Sequence, residues 1–166
     1  MLGFYGIQAK TNDSEALEAI TQFITDIAFY APSVRIAESW PGAAFLGHFN
    51  ERNPWDGPYK GKTNHLLDVA YLWGNYNQSY TRQNWTVARA LAENVVSFVS
   101  EKDHLPEFKA KRLVTVYGPS EEDISSQTVA WDSKETGRNP AIFQLAEELG
   151  GLDKLLDVAQ GFLGAD

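Results

Sequence analysis

The chain has no cysteine, which excludes disulfides, a thiol nucleophile and cysteine-ligated zinc. Histidine is nearly as scarce: His48, His65 and His104 are the only three, and no two stand at the short helical or turn spacing of a metal site. No metal and no cofactor is therefore expected. Positive charge is also in short supply, with 14 Lys and Arg against 22 Asp and Glu and a net charge of -8. No basic cluster is long enough to neutralise a phosphate backbone, so nucleic acid is not an expected partner. No apolar run approaches the ~18 residues of a membrane span. The start "MLGFYGIQAKTNDSEA" lacks the basic head and apolar centre of a signal peptide. The compartment stays open, with the cytoplasm the expectation if the chain is complete as given.

What is there is ample material for a core. The 166 residues are 43% apolar and include 21 aromatic side chains, enough for one packed domain. "NDSEALEAITQFITDIAFYAPSVRIAESW" offers Asn12, Asp13 and Ser14 as helix caps. It then sets Leu17, Ile20, Phe23, Ile24 and Ile27 at helical spacing. Pro32 predicts a break or kink near Tyr30, followed by a second helical stretch from Ser33 to Trp40. After the turn at Pro41 and Gly42, residues 43–49 read as a short buried strand.

Residues 50–64, "NERNPWDGPYKGKTN", are too rich in Pro, Gly and Asn for regular structure and form a long loop of the kind that tends to carry function. His65 ends that loop, and Leu66 to Trp73 follow as an almost continuous apolar patch. Residues 81–103 make the clearest helix, with Trp85, Ala88, Leu91, Ala92, Val95, Val96 and Val99 along one side. "RLVTVYG" and "QTVAW" read as two strands joined by the polar "PSEEDISS". A last helical stretch starts at Pro140 and is split by Gly150 and Gly151. Three tripeptides fit the glycosylation pattern, at Asn12, Asn77 and Asn84, a pattern frequent by chance.

Chemistry concentrates at His65. A phosphate loop is a poor fit to "GKT" at Gly61 to Thr63. Only three residues separate Gly57 from Gly61, and one of them, Pro58, has no amide hydrogen to give. His48, flanked by Phe45 and Phe49, reads as a strand residue, and His104 as a cation at a helix end. His65 itself is either a histidine held by hydrogen bonds under the loop or a catalytic base delivered by a loop after a strand, which is the plan of an α/β-hydrolase.

The order "ITDIAFYAPSVRIAESW", "AAFLGHFNERNPWDG", "KGKTNHLLDVAYLWGNY" resembles the carboxyl-terminal third of the type B carboxylesterases, the family that includes the cholinesterases. The matching positions are Asp26 and Pro32 in the helix, the aromatic strand, and Gly61, His65, Asp68, Trp73 and Gly74. Residues 81–101 and "GRNPAIFQLAEELGGLDKLL" are similar to fungal members. The resemblance implies a carboxyl-terminal fragment of an α/β-hydrolase fold spanning residues 1–166, an incomplete sheet with packed helices. It gives His65 the role of general base in the hydrolysis of a small-molecule carboxylic ester, with Asp68 either a loop-orienting acid or a plain helix-start carboxylate.

The departures limit that implication. No Gly-x-Ser-x-Gly elbow is present: "GPSEE" at 118–122 comes nearest and lacks the second glycine. The only adjacent glycine pair, Gly150 and Gly151, falls in the last helix, so no oxyanion loop is visible, and the family's triad acid lies upstream of this chain. Without a nucleophile His65 has nothing to activate here. The expectation is a segment that supplies the histidine of a complete serine esterase and is inactive alone. An incomplete sheet would also leave a strand edge open to self-association. Two further readings stand beside it: a non-catalytic interaction module using Trp55, Tyr59, Trp73 and Tyr76, and an independent hydrolase using Ser120.

Overall fold

A computed structural model describes residues 2–100 and 105–164. The chain is mixed α/β. Its helices are α1 Asp13–Thr25, α2 Ala31–Ser39, α3 Leu67–Leu72, α4 Arg82–Val99, α5 Phe108–Lys111, α6 Ala141–Leu149 and α7 Leu152–Leu163. Its strands are β1 Gly47–Phe49, β2 Leu113–Tyr117 and β3 Ser126–Ala130. The chain divides into two compact units, Met1–Trp40 with Arg138–Asp166, and Pro41–Gly137.

The first unit is helical. Asn12 caps α1 through a reciprocal box: its Oδ1 accepts from the Glu15 amide at 3.0 Å while the Glu15 carboxylate accepts from the Asn12 amide. That arrangement satisfies donors which would otherwise be orphaned and is worth about 1 kcal/mol. Pro32 does not break the chain. Residues Asp26–Tyr30 instead form a π-helical turn in which Ala31 donates to Asp26, and α2 continues directly from it. The wider register absorbs the hydrogen bond that Pro32 cannot make. Phe23, Ile27, Val34, Ile142, Leu145 and Leu155 form the buried apolar face of these helices. The expected split at Gly150 and Gly151 is present: both have positive φ, at 90° and 125°, and α6 and α7 lie on either side.

Asp26 is fully buried in this unit, accepting from Tyr5 Oη at 3.2 Å and from Gln22 Nε2 at 2.9 Å. Burial pushes its carboxyl above the ordinary range, although Gln22 and the nearby Arg138 pull the other way.

The second unit holds the sheet, in the order β1-β2-β3. β1 runs parallel to β2, with His48 opposite Val116, and β3 runs antiparallel to β2, with Thr128 opposite Thr115. The sheet is mixed and does not close. β2 is the central strand and is buried along almost its whole length, as its run Val114-Thr115-Val116-Tyr117 requires. β3 alternates between exposed and half-buried, the pattern of a strand with one face to solvent. The strand expected over 43–49 is regular only over its last three residues. Before that, the Ala44 and Leu46 carbonyls accept from the Phe108 and Thr115 amides. Helix α5 was not anticipated. Glu107 caps it by accepting from the Lys109 and Ala110 amides, and Arg112 closes it with φ 51° and its guanidinium over both Phe108 and Trp131.

One core cluster of this unit is Leu67, Tyr71, Val87, Ala88 and Tyr117, and Phe108, Val114 and Val116 are buried as well. Helix α4 buries Asn84, Val87, Ala88 and Ser97; of the apolar side expected to face inward, Ala88 is buried and Leu91 and Ala92 are half-buried, while the rest is exposed. Trp85 is exposed, and Val96 and Val99 are 60% and 74% exposed. The expected helical residues 101–103 and His104 lie outside the described residues.

Candidate functional site

β1 ends at Phe49, and the Asn50 amide makes one more bond, to the Tyr117 carbonyl at 2.8 Å, before the chain leaves the sheet. The loop that follows is ordered by its own hydrogen bonds. Gly61 donates to the Asn53 carbonyl at 2.8 Å and Asn53 to the Lys62 carbonyl at 3.1 Å, which closes residues 53–62 into a separate lobe. Gly61 sits at φ 74°, a conformation glycine adopts without penalty. Lys60 pairs with Asp56 at 2.6 Å and Arg52 with Glu121 at 2.7 Å, both on the surface where solvent screens them.

Beyond the lobe the chain is pinned twice. The Thr63 hydroxyl donates to the Glu51 carbonyl at 2.9 Å, and Leu67, buried, begins α3 with its amide on the Asn64 carbonyl. His65 lies between these anchors with its side chain exposed. Leu66 directly after it has φ 64°, an unusual conformation for a branched side chain, and is 58% exposed. The histidine is thus solvent-exposed at the end of the loop. Asp68 is also exposed, in the first turn of α3, where an acidic group suits the helix dipole.

Beneath the loop lies a buried polar cluster that sequence reasoning missed. Glu51 is 1% exposed. Its Oε1 accepts from Asn84 Nδ2 and from Ser120 Oγ, each at 2.7 Å, and its Oε2 accepts from the Ser120 amide at 2.7 Å. A carboxylate costs several kcal/mol to bury unless it is compensated, and three short charge-assisted bonds supply the compensation. Asn84 is oriented by the cap of α4, where its Oδ1 accepts from the Thr81 amide at 2.9 Å and from the Thr81 hydroxyl at 2.8 Å. The one available sequence signal was Thr81-x-x-Asn84 as a capping pair. Nothing in the local pattern said that Asn84 would also reach Glu51.

This geometry bears on the other candidates. The Ser120 hydroxyl is buried and already donated to Glu51, so it is not presented as a nucleophile. Thr63, the last residue of "GKT", spends its hydroxyl on Glu51. His48 is a buried strand residue. Asn84 is buried with its amide engaged, which removes the third glycosylation tripeptide from reach in the folded chain.

Tyr71 packs against Phe49, with ring centroids 5.3 Å apart, and stacks on Tyr80 at 4.5 Å. Burial, and then the negative Glu51, raise its phenol well above the usual tyrosine range. Tyr80 is pushed up to about 12 by burial. Both phenols are therefore neutral at physiological pH and act as packing groups. Trp55 joins the ladder by stacking on Tyr80 and meeting Tyr76 edge-on at 5.3 Å, while Tyr59, Trp73 and Tyr76 remain exposed.

Among the described residues no group of three or more acidic or histidine side chains is placed to hold a metal ion. No helix of the described residues is long and apolar enough to cross a membrane. No protein-family model, curated protein or solved structure matches this chain.

Proposed function

We propose that this chain is the carboxyl-terminal portion of a type B carboxylesterase-like serine hydrolase with an α/β-hydrolase fold, and that His65 is its general base. The observation that supports this best is the delivery of His65. An exposed imidazole stands on a doubly pinned segment after a loop that leaves the carboxyl end of a parallel strand. That is where open sheets with parallel strands carry chemistry. In the complete enzyme one ring nitrogen accepts the serine proton as Oγ attacks the ester carbonyl. The imidazolium then returns that proton to the departing alkoxide, and a water repeats the sequence on the acyl-enzyme. The portion present here contributes the base and its support, and the nucleophile, acid and oxyanion donors come from elsewhere in the protein.

The test is reconstitution. The 1–166 chain mixed with a carboxylesterase amino-terminal portion bearing a Gly-x-Ser-x-Gly elbow is expected to hydrolyse p-nitrophenyl esters, and His65→Ala is expected to abolish the activity. Hydrolysis that survives His65→Ala removes the histidine from the mechanism.

A second reading is a non-catalytic interaction module, supported by the exposed aromatic set Tyr59, Trp73 (74% exposed) and Tyr76. It is favoured if reconstitution yields no hydrolysis while Trp73→Ala weakens capture of a partner that the unaltered chain binds.

A further inference from the structure

We propose that Glu51 is the positioning residue for His65, an inference that rests on reading His65 as the base. Glu51 joins three parts of the second unit at one point. Its backbone continues β1, its carboxylate takes the Ser120 amide and hydroxyl from the turn after β2, and the same carboxylate takes Asn84 from the first turn of α4. All three side-chain contacts are 2.7 Å, and the residue is enclosed at 1% exposure, so its side chain anchors the segment that follows β1. On the opposite side of that main chain the Glu51 carbonyl receives the Thr63 hydroxyl at 2.9 Å.

The consequence follows from chain length. The lobe 53–62 is closed by its own backbone pairs and transmits little from Asn53 to Lys62. The position of His65 is set instead by the two-residue step from Thr63 and by the Asn64 carbonyl that receives the Leu67 amide. Gly118 makes the enclosure tight: a Cβ there would lie 2.8 Å from the Glu51 Cα and 2.9 Å from its nitrogen. A catalytic imidazole displaced by about 1 Å loses on the order of 100-fold in rate, so a buried carboxylate two contacts away controls catalysis without touching substrate.

The experiment uses Thr63→Val, which removes only the hydroxyl link, beside Glu51→Gln, which leaves one amide N–H facing another donor. Amide hydrogen exchange at Asn64 and His65 and the His65 ring resonances are read by NMR on the 1–166 chain, with kcat and KM measured in the reconstituted esterase. The expected result for Thr63→Val is exchange at Asn64 and His65 faster by about tenfold or more, an unchanged melting profile elsewhere, and a fall in kcat with KM nearly constant. Exchange and ring resonances within about twofold of the unaltered chain overturn the proposal. If the reconstituted enzyme is inactive even without substitution, the esterase reading fails and the NMR result still decides whether Glu51 holds the histidine segment. If Glu51→Gln does not fold, Ser120→Ala, which removes one carboxylate contact and keeps the Thr63 link, is read in the same way: exchange at Asn64 and His65 unchanged within about twofold overturns the role of the carboxylate.

Discussion

Gly118→Ala is expected to be the most damaging single-methyl addition in the second unit. The new Cβ would stand 2.5 Å from Glu51 Oε2, 2.8 Å from Glu51 Cα and 2.9 Å from Glu51 N. Two of those atoms are backbone, so no rotamer change relieves the clash. The Gly118 φ of 76° adds roughly 1 kcal/mol for any L side chain. Overpacking of a filled site adds roughly 1–3 kcal/mol, for a total near 2–4 kcal/mol before any loss from the Glu51 hydrogen bonds. Gly61→Ala is the matched control: its φ is 74°, but nothing lies within 4 Å of the added methyl, so it carries the conformational cost alone. Urea unfolding followed by tryptophan fluorescence suits the comparison, because four of the five tryptophans, Trp55, Trp73, Trp85 and Trp131, lie within Pro41–Gly137. The two variants are expected to differ by at least about 1 kcal/mol at equal m-values. Agreement within about 0.5 kcal/mol would mean that the Glu51 segment yields freely, and the reasoning about a rigid anchor would fail with it.

In the first unit, Asp26 has a raised folded-state pKa because of burial. Its contribution to stability is therefore full below the unfolded value of about 3.9 and is lost as pH rises through the raised value. The melting temperature of the unaltered chain should gain on that of Asp26→Asn as pH falls from about 7 toward about 4, and a gap that is constant or moves the other way refutes the assignment. Leu66→Gly relieves a left-handed backbone at an exposed side chain and should stabilise the second unit by up to about 1 kcal/mol in urea unfolding, whereas a loss of more than about 1 kcal/mol would show that the leucine packs. Asn12→Ala removes the cap of α1 and should cost about 1 kcal/mol, with Asn12→Ser restoring most of it; equal stability of the two variants would refute the cap's role. The isolated chain should self-associate in sedimentation velocity in a concentration-dependent manner, and Val96→Lys with Val99→Lys should reduce the association; a monodisperse monomer counts against the incomplete-fold reading.

Several elements were legible because their signals are local. The capping run at Asn12, the glycine pair at 150 and 151 and the two apolar runs joined by a polar segment each encode structure within a few residues, and α1, the split between α6 and α7, and the strands β2 and β3 appear where those signals place them. Pro32 was legible as a change in the helix near Tyr30, and the form it takes, a π turn over Asp26–Tyr30 running directly into α2, was not. The strand before His48 was overlong because apolar content cannot tell a paired backbone from one whose carbonyls go singly to Phe108 and Thr115. His65 was legible as the end of a loop. Its support was not, since Glu51, Asn84 and Ser120 are separated by 33 and 36 residues and meet only through the fold.

Helix α4 connects these points. Helical periodicity selects the side with Trp85, Ala88, Leu91, Ala92, Val95, Val96 and Val99; the fold buries Ala88 and half-buries Leu91 and Ala92 of that side, leaves Trp85, Val95, Val96 and Val99 exposed, and turns Asn84 and Ser97 inward with Val87. Burial of Asn84 is not a hydrophobic choice. It is matched by Glu51, whose buried carboxylate needs donors, and Asn84 supplies one of them from the first turn of α4. An unpaired buried carboxylate would cost several kcal/mol, so the Asn84 contact is a substantial part of what holds this end of α4 inward. Ala88 and Leu91 hold the middle of α4 against the core, and the Asn84 contact with Glu51 fixes its first turn beside them.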